Sequence, residues 1–166
     1  MKNRPVIDGA EDASELRFGI VVSAYHDDVT GLLRDAAIAA LREAGAREKS
    51  IVVIAVPGAF EIPFVARQAA ETNRFDAIVC LGCVIRGGTP HFDYIASAVA
   101  HGITTASQAT GVPMAFGVLT TNTHAEALAR AGPGNSNKGW EAAMVAVQLT
   151  NVVRGLRRYS GTGEGV

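Results

Sequence analysis

The sequence offers little that could bind a metal ion. It has two cysteines, Cys80 and Cys83, and no second Cys or His pair at ligand spacing accompanies them. Their C-x-x-C spacing occurs in zinc and redox sites. However, both fall within one apolar run, where strand side chains three apart point to opposite faces. With no carboxylate cluster either, we expect two buried thiols and no metal.

An excess of positive charge and long apolar runs are also missing. The chain has 15 basic and 16 acidic residues, so no basic field would attract nucleic acid. No stretch approaches the ~20 apolar residues of a membrane span. The start, MKNRPVIDGAEDASEL, lacks the apolar core of a signal peptide. These absences predict a cytoplasmic protein with neither a nucleic-acid nor a membrane partner.

Apolar runs alternate with helical patterns along most of the chain. The runs at 17–23, 50–56, 76–85 and 113–119 are typical of buried strands. Helical patterns cover 29–44, 61–72 and 91–109, and a short and a long helix follow from about His124. In the long helix Val145, Leu149, Val152 and Leu156 form one stripe. We predict a single domain at 17–159, with tails at 1–16 and 160–166.

Strands that are apolar throughout are covered on both faces, and alternating helices supply that cover. The sequence therefore predicts a three-layer α/β/α sandwich with a parallel sheet. Ligands of such folds bind beyond the carboxyl ends of the strands. The segments to inspect are 24–28, 57–61, 86–91 and 120–124.

The segment after the third strand, IRGGTPHFDYI, carries the strongest chemical pattern. Gly87 and Gly88 permit a sharp turn and a close approach to a ligand, and Thr89 offers a hydroxyl. A helix beginning near His91 would aim free N–H groups and its positive dipole end at the same space, which favours an anion. The alternatives are a capping turn without ligand and a capping or surface histidine. No Lys-Ser/Thr pair follows the glycines, so this is not a nucleotide P-loop.

Other strand ends supply weaker candidates. Glu61 follows a Pro-Gly turn, where it either binds hydroxyls or caps its own helix. Tyr25 can stack on a planar heterocycle or pack at the edge of the core, and His26 could line the same space. No G-x-G-x-x-G motif follows the first strand, so we expect no dinucleotide and no other cofactor.

Three further candidates lie late in the chain. Phe116 sits in mid-strand, where plain core packing is the alternative. Arg130 and Lys138 bracket a polar turn, either as solvated charges or as a pair that gathers an anion.

Five blocks together resemble the lumazine synthase family: VPGAFEIP at 56–63, LGCVIRGGTPHFDYI at 81–95, PMAFGVLTTNT at 113–123, EALARAG at 126–132 and NKGWEAA at 137–143. The resemblance implies a flavodoxin-like α/β/α sandwich with a four-stranded parallel sheet. It also implies a cofactor-free transferase that condenses 5-amino-6-ribitylaminouracil with 3,4-dihydroxy-2-butanone 4-phosphate. The product, 6,7-dimethyl-8-ribityllumazine, is the substrate of riboflavin synthase.

The resemblance also assigns residues to the uracil substrate. Tyr25 stacks on the pyrimidine, at a position where the family more often has Phe or Trp. His26 replaces a common asparagine and receives no role. The residues implied to hold the ribityl chain and the ring edges are Ala59, Phe60, Glu61, Val84 and Ile85.

For the phosphate substrate, the resemblance implies that Gly88, Thr89 and Arg130 bind the phosphate and that His91 transfers protons. Phe116 and Lys138 match residues that a neighbouring subunit contributes, because family sites lie between subunits of a pentamer. Family members occur as pentamers, pairs of pentamers or icosahedral shells, and the short turn at 132–137 permits a shell.

Two other functions use the same residues: a flavin- or lumazine-binding protein without catalysis, and a structural cage. The intact set of Glu61, His91, Arg130 and Lys138 favours the enzyme, because a pure binder needs no phosphate pocket.

Overall fold

The computed structural model describes residues 4–159. Its strands are β1 (Phe18–Ser23), β2 (Ile51–Val56), β3 (Ala77–Ile85) and β4 (Met114–Thr121). Its α-helices are α1 (Asp27–Glu43), α2 (Ile62–Glu71), α3 (His91–Thr110), α4 (His124–Arg130) and α5 (Lys138–Tyr159). The predicted order of elements is confirmed. Within residues 4–159, no helix is both long and apolar enough to cross a membrane.

All four strands are parallel and lie in the order β2-β1-β3-β4. One apolar cluster packs α1 and α5 on one face of the sheet, and a second packs α2 and α3 on the other. The predicted three-layer sandwich is therefore confirmed. Strand order reverses between β1 and β3, and such a reversal opens a crevice at the carboxyl ends of the strands.

The two cysteines lie on opposite faces of β3, as predicted. Cys80 belongs to the cluster under α2 and α3, and Cys83 to the cluster under α1 and α5. Burial raises the pKa of Cys80 to about 12. Burial, followed by the charge of Asp28, raises the pKa of Cys83 to about 11. Both are therefore neutral thiols at physiological pH, and residues 4–159 contain no cluster of His, Cys, Asp and Glu suited to a metal ion.

The apolar stripe from which the long helix α5 was predicted faces mainly outward. Val145, Leu149 and Leu156 are 49%, 41% and 52% exposed. The buried side of the helix consists mainly of small residues, Gly139, Ala142, Ala143, Ala146 and Val147. Close packing of α5 against α1 requires these small residues, and the larger apolar ones are left uncovered.

Gly139 marks the closest approach of α5 to α1. A Cβ placed on Gly139 would lie 2.0 Å from the backbone oxygen of Leu33, which cannot move aside as a side chain could. We expect Gly139→Ala to lower the free energy of unfolding by about 1–3 kcal/mol, the usual cost of overpacking. Gly31 in α1 is the matched control, since a Cβ there meets only the end of Arg34 at 3.8 Å. Gly31→Ala should stabilise by up to about 1 kcal/mol through helix propensity. Denaturant unfolding of both variants checks the contrast, and equal stabilities would contradict it.

The segment before β1 lies along α5. The Asn151 side chain donates to the backbone oxygens of Ala10 and Asp12 at 2.7 and 2.9 Å. Ala13 and Leu16 are buried in the core. The division into tails at 1–16 and 160–166 stays a prediction, and the second of these segments lies outside the described residues.

Candidate functional site

A cavity of about 470 Å³ opens at the carboxyl end of the sheet, beyond the crevice between β1 and β3. Three of the four segments singled out from the sequence line it, those that follow β1, β2 and β3. Its size falls in the range of about 300–1,000 Å³ that is usual for small-molecule sites. A cavity of suitable size therefore lies at the strand ends, where the site is expected, and its role as the site stays a prediction.

The loop after β1 contributes two rings to the cavity. Tyr25 is 68% exposed, and its ring meets that of His26 edge-on, with centroids 4.4 Å apart. His26 adopts the left-handed conformation at the start of α1, with φ 59°. The Tyr25 amide donates to the Pro57 carbonyl at 3.0 Å, which joins this loop to the one after β2.

The loop after β2 is a single helical turn, Ala59–Glu61. The Oε2 atom of Glu61 accepts a hydrogen bond from the Gly58 amide at 2.9 Å, so this carboxylate caps the short turn and not α2, to which its side chain gives no capping bond. The same half-buried side chain lines the cavity, next to the exposed ring of Phe60. Capping uses one carboxylate oxygen, and a ligand hydroxyl can therefore bond the other.

The segment after β3 forms the other wall of the cavity. Val84 and Ile85 are half-buried and line it, followed by Gly87, Thr89 and His91, while Gly88 lies beside it. The backbone bends at Gly88 and Thr89, and neither glycine adopts the left-handed conformation there. A Cβ on either one would meet nothing within 4 Å, so the space above their backbone is open to a ligand.

Sequence reasoning gave three residues of the cavity no place in it, Cys83, Phe92 and Ile95. Phe92 and Ile95 lie on α3, which begins at His91 as predicted. Ile95 is four residues beyond His91 and so shares its helix face. That spacing was visible in the sequence and could have identified Ile95.

The remaining predicted residues form a second groove of about 450 Å³ along β4 and α5, lined by Phe116, Arg130 and Lys138. Phe116 is 47% exposed, so it is not a core residue. Arg130 donates to the Glu126 carbonyl at 3.0 Å, and Lys138 pairs with Glu141 at 2.7 Å. Within one chain, these three residues do not line the cavity that holds Tyr25.

The structure defines a flavodoxin-like α/β protein with a cavity of small-molecule size at its topological switch point. The sequence model of the 6,7-dimethyl-8-ribityllumazine synthase family matches residues 15–154. A 6,7-dimethyl-8-ribityllumazine synthase of Syntrophus aciditrophicus (strain SB) is 50% identical over 149 residues, which cover 90% of this chain and 97% of that protein. The chain belongs to the lumazine synthase family, transferase-type enzymes of riboflavin biosynthesis.

Proposed function

We propose that the chain condenses 5-amino-6-ribitylaminouracil with 3,4-dihydroxy-2-butanone 4-phosphate to form 6,7-dimethyl-8-ribityllumazine. One observation carries the proposal. A single cavity gathers a stacking ring, a carboxylate, a histidine and a helix N-terminus from three adjacent strand ends. Together these groups match a planar heterocycle, a hydroxylated chain and a phosphate.

The uracil substrate lies along the β1 and β2 side of the cavity. Tyr25 stacks on the pyrimidine, since its exposed ring is already oriented by the edge contact with His26. Glu61 accepts hydrogen bonds from ribityl hydroxyls, beside Ala59 and Phe60. The backbone of Val84 and Ile85 meets the edge of the pyrimidine.

The phosphate substrate lies at the start of α3. The open backbone around Gly88 and the Thr89 hydroxyl donate to the phosphate, and the positive end of the helix dipole adds attraction. Arg130 of a neighbouring subunit supplies the balancing charge, with Phe116 and Lys138 beside it on the same groove.

The reaction needs the protein to align the two substrates and to transfer protons, and it needs no nucleophile from the protein. The uracil amine adds to the ketone and water leaves, which gives an imine. Phosphate is then eliminated, and the second nitrogen closes the ring with loss of another water. Holding the two reactants together supplies much of the acceleration. His91 moves protons at the start of α3, and no covalent bond to the enzyme forms.

We expect His91→Ala to reduce kcat by about 100-fold, at the low end of the 10²–10⁴-fold that general acid–base catalysis supplies. Turnover persists because alignment of the substrates does not depend on the imidazole. His101 is the matched control, since it is an exposed histidine farther along the same helix. Steady-state kinetics should show His101→Ala at the wild-type rate, and a wild-type kcat in His91→Ala would refute the proton-transfer role.

The active protein is a cytoplasmic ring assembled from copies of the chain. Exposed apolar side chains lie at the β2 edge of the sheet, at Val52, Val53, Phe60 and Phe64. A different exposed apolar set lies at the β4 edge, at Phe116, Val145 and Leu149. Two unlike faces at opposite edges favour a head-to-tail contact, which gives a ring when the rotation between subunits closes. Five subunits follow from the family resemblance, and the short turn at 132–137 permits pentamers to form an icosahedral shell.

Two measurements test this function and assembly. Mixing both substrates with the protein should give product fluorescence that grows far beyond one equivalent per chain. Product formation no faster than in the same mixture without protein would indicate a binding protein or a structural cage instead. Light scattering should give a mass that is a multiple of five chains, and an active monomer would contradict the shared site.

A further inference from the structure

Arg86 makes several directed contacts from a position just outside the cavity. Its Nε donates to the Asn122 side-chain oxygen at 3.0 Å, and its Nη2 donates to Asp93 at 3.3 Å. The guanidinium carbon lies 4.4 Å from the centre of the Phe92 ring. The Arg86 amide donates to the Thr121 carbonyl at 2.9 Å. A single side chain therefore uses both the edge and the face of its guanidinium.

These contacts join three elements that meet at the site. Arg86 follows β3, Asn122 follows β4, and Phe92 and Asp93 belong to the first turn of α3. That turn also carries His91, and both His91 and Phe92 line the cavity. The guanidinium thus supports the cavity-lining ring of Phe92 and ties the turn to the end of β4.

We propose that Arg86 is a positioning residue for the condensation, holding the first turn of α3 so that His91 and Phe92 face the bound substrates correctly. The proposal rests on the condensation being the reaction of this site. A planar fork with fixed donors suits this task, because an ammonium group has neither donors at a fixed spacing nor a flat face that can lie on a ring.

The exposure and the ion pair of Arg86 favour a role in positioning the site over a role in the stability of the whole fold. The Arg86 side chain is 46% exposed, and exposed ion pairs contribute little to stability. Placement of catalytic groups is more demanding, since an error of about 1 Å can cost about 100-fold in rate. We therefore expect the loss of Arg86 to appear in kcat before it appears in unfolding.

The closest alternative is a purely electrostatic role. Asp93 places a negative charge in the first turn of α3, near the proposed phosphate site, and Arg86 offsets it. A lysine at position 86 would keep this charge but lose the fork and the stacking plane. The two roles therefore predict opposite results for Arg86→Lys.

The experiment compares Arg86→Lys, Arg86→Met and Asn122→Ala with the wild-type enzyme by steady-state kinetics. Arg67→Met is the control, because Arg67 forms an exposed ion pair with Glu71 within α2. We expect both Arg86 variants to lose about tenfold in kcat, with KM for each substrate changed less than about threefold. Asn122→Ala should lose less, and adding it to Arg86→Met should cost nothing further. Arg67→Met should match the wild type.

Wild-type kcat in Arg86→Lys would overturn the positioning role in favour of charge. If the losses in kcat of Arg86→Met and Asn122→Ala were fully additive, the positioning role would also be overturned, because two residues that act through the same hydrogen bond cannot contribute independently. If Arg86→Met assembles poorly, Asn122→Ala still tests the positioning role, since it leaves Arg86 in place and removes one of its contacts. An unchanged kcat in Asn122→Ala would overturn the proposal. Absence of product with the wild-type chain would instead refute the proposed function.

Discussion

An equal mixture of His91→Ala and Arg130→Ala chains, assembled together, is expected to recover about a quarter of the wild-type activity. Each variant alone should retain only about a few per cent, measured with the phosphate substrate well below its KM. His91 lies in the cavity and Arg130 on the separate groove at the opposite edge of the sheet. If one chain's cavity meets its neighbour's groove, random pairing makes about one site in four fully native.

A second mixture serves as the control. Tyr25→Ala and His91→Ala both alter the cavity, so every site in their mixture contains one altered cavity. That mixture should show only the average of its parents. Absence of recovery in the first mixture would place all site residues in a single chain, whereas recovery in the control would mean that Tyr25 and His91 of one site come from different chains. Co-purification of both chains through a tag on only one shows that mixed assemblies formed.

Strand ends were predictable from the sequence because they depend on local chemistry. The apolar runs specify the buried strands, and the residues just beyond them reach one edge of a parallel sheet. The sequence alone therefore predicts that Tyr25, Glu61, Thr89 and His91 lie near one another, as they do in the cavity. The helix beginning at His91 followed from the same reasoning.

The separation of the groove at Phe116 and Arg130 from the cavity was less accessible to reasoning from residue patterns, because it depends on which strands lie at the edges. Only the order β2-β1-β3-β4 places Phe116 and Arg130 on the far side from Phe60. Helical periodicity also did not indicate which face of α5 is buried. The buried face consists mainly of small residues, which stand out less in an apolar pattern than valine and leucine do. Val145 and Leu149 lie outside because Gly139 brings α1 too close for large side chains.

The contacts of Arg86 illustrate a third limit. Asn122 is 36 residues away from Arg86 in the chain, and their hydrogen bond arises from the pairing of β3 with β4. Sequence spacing indicates Asp93 as a neighbour of the helix start, but it cannot reveal a guanidinium that bonds Asn122 and stacks on Phe92 together. This set of contacts can be inferred only when the register of the sheet is known.

Replacing Arg130 by alanine is expected to raise the KM for the butanone phosphate by about 10- to 150-fold. This range follows from about 1.5–3 kcal/mol for hydrogen bonds to a charged group, at 1.4 kcal/mol per tenfold. One end of the guanidinium donates to the Glu126 carbonyl of its own helix, which leaves the other end to reach a neighbour's phosphate. The KM for the uracil substrate should change little, because its groups lie on the β1 and β2 side.

Two further variants sharpen this test. Arg130→Lys keeps a charge but cannot bond the phosphate through a planar fork, so its KM should fall between those of the wild type and Arg130→Ala. Arg34→Ala is the control, since Arg34 pairs only with its neighbour Asp35 at 2.9 Å among the contacts described for its side chain. An unchanged KM for the phosphate substrate in Arg130→Ala would remove Arg130 from the site. Of the two cations among the described residues that line this groove, Lys138 would then be left to balance the charge of the phosphate.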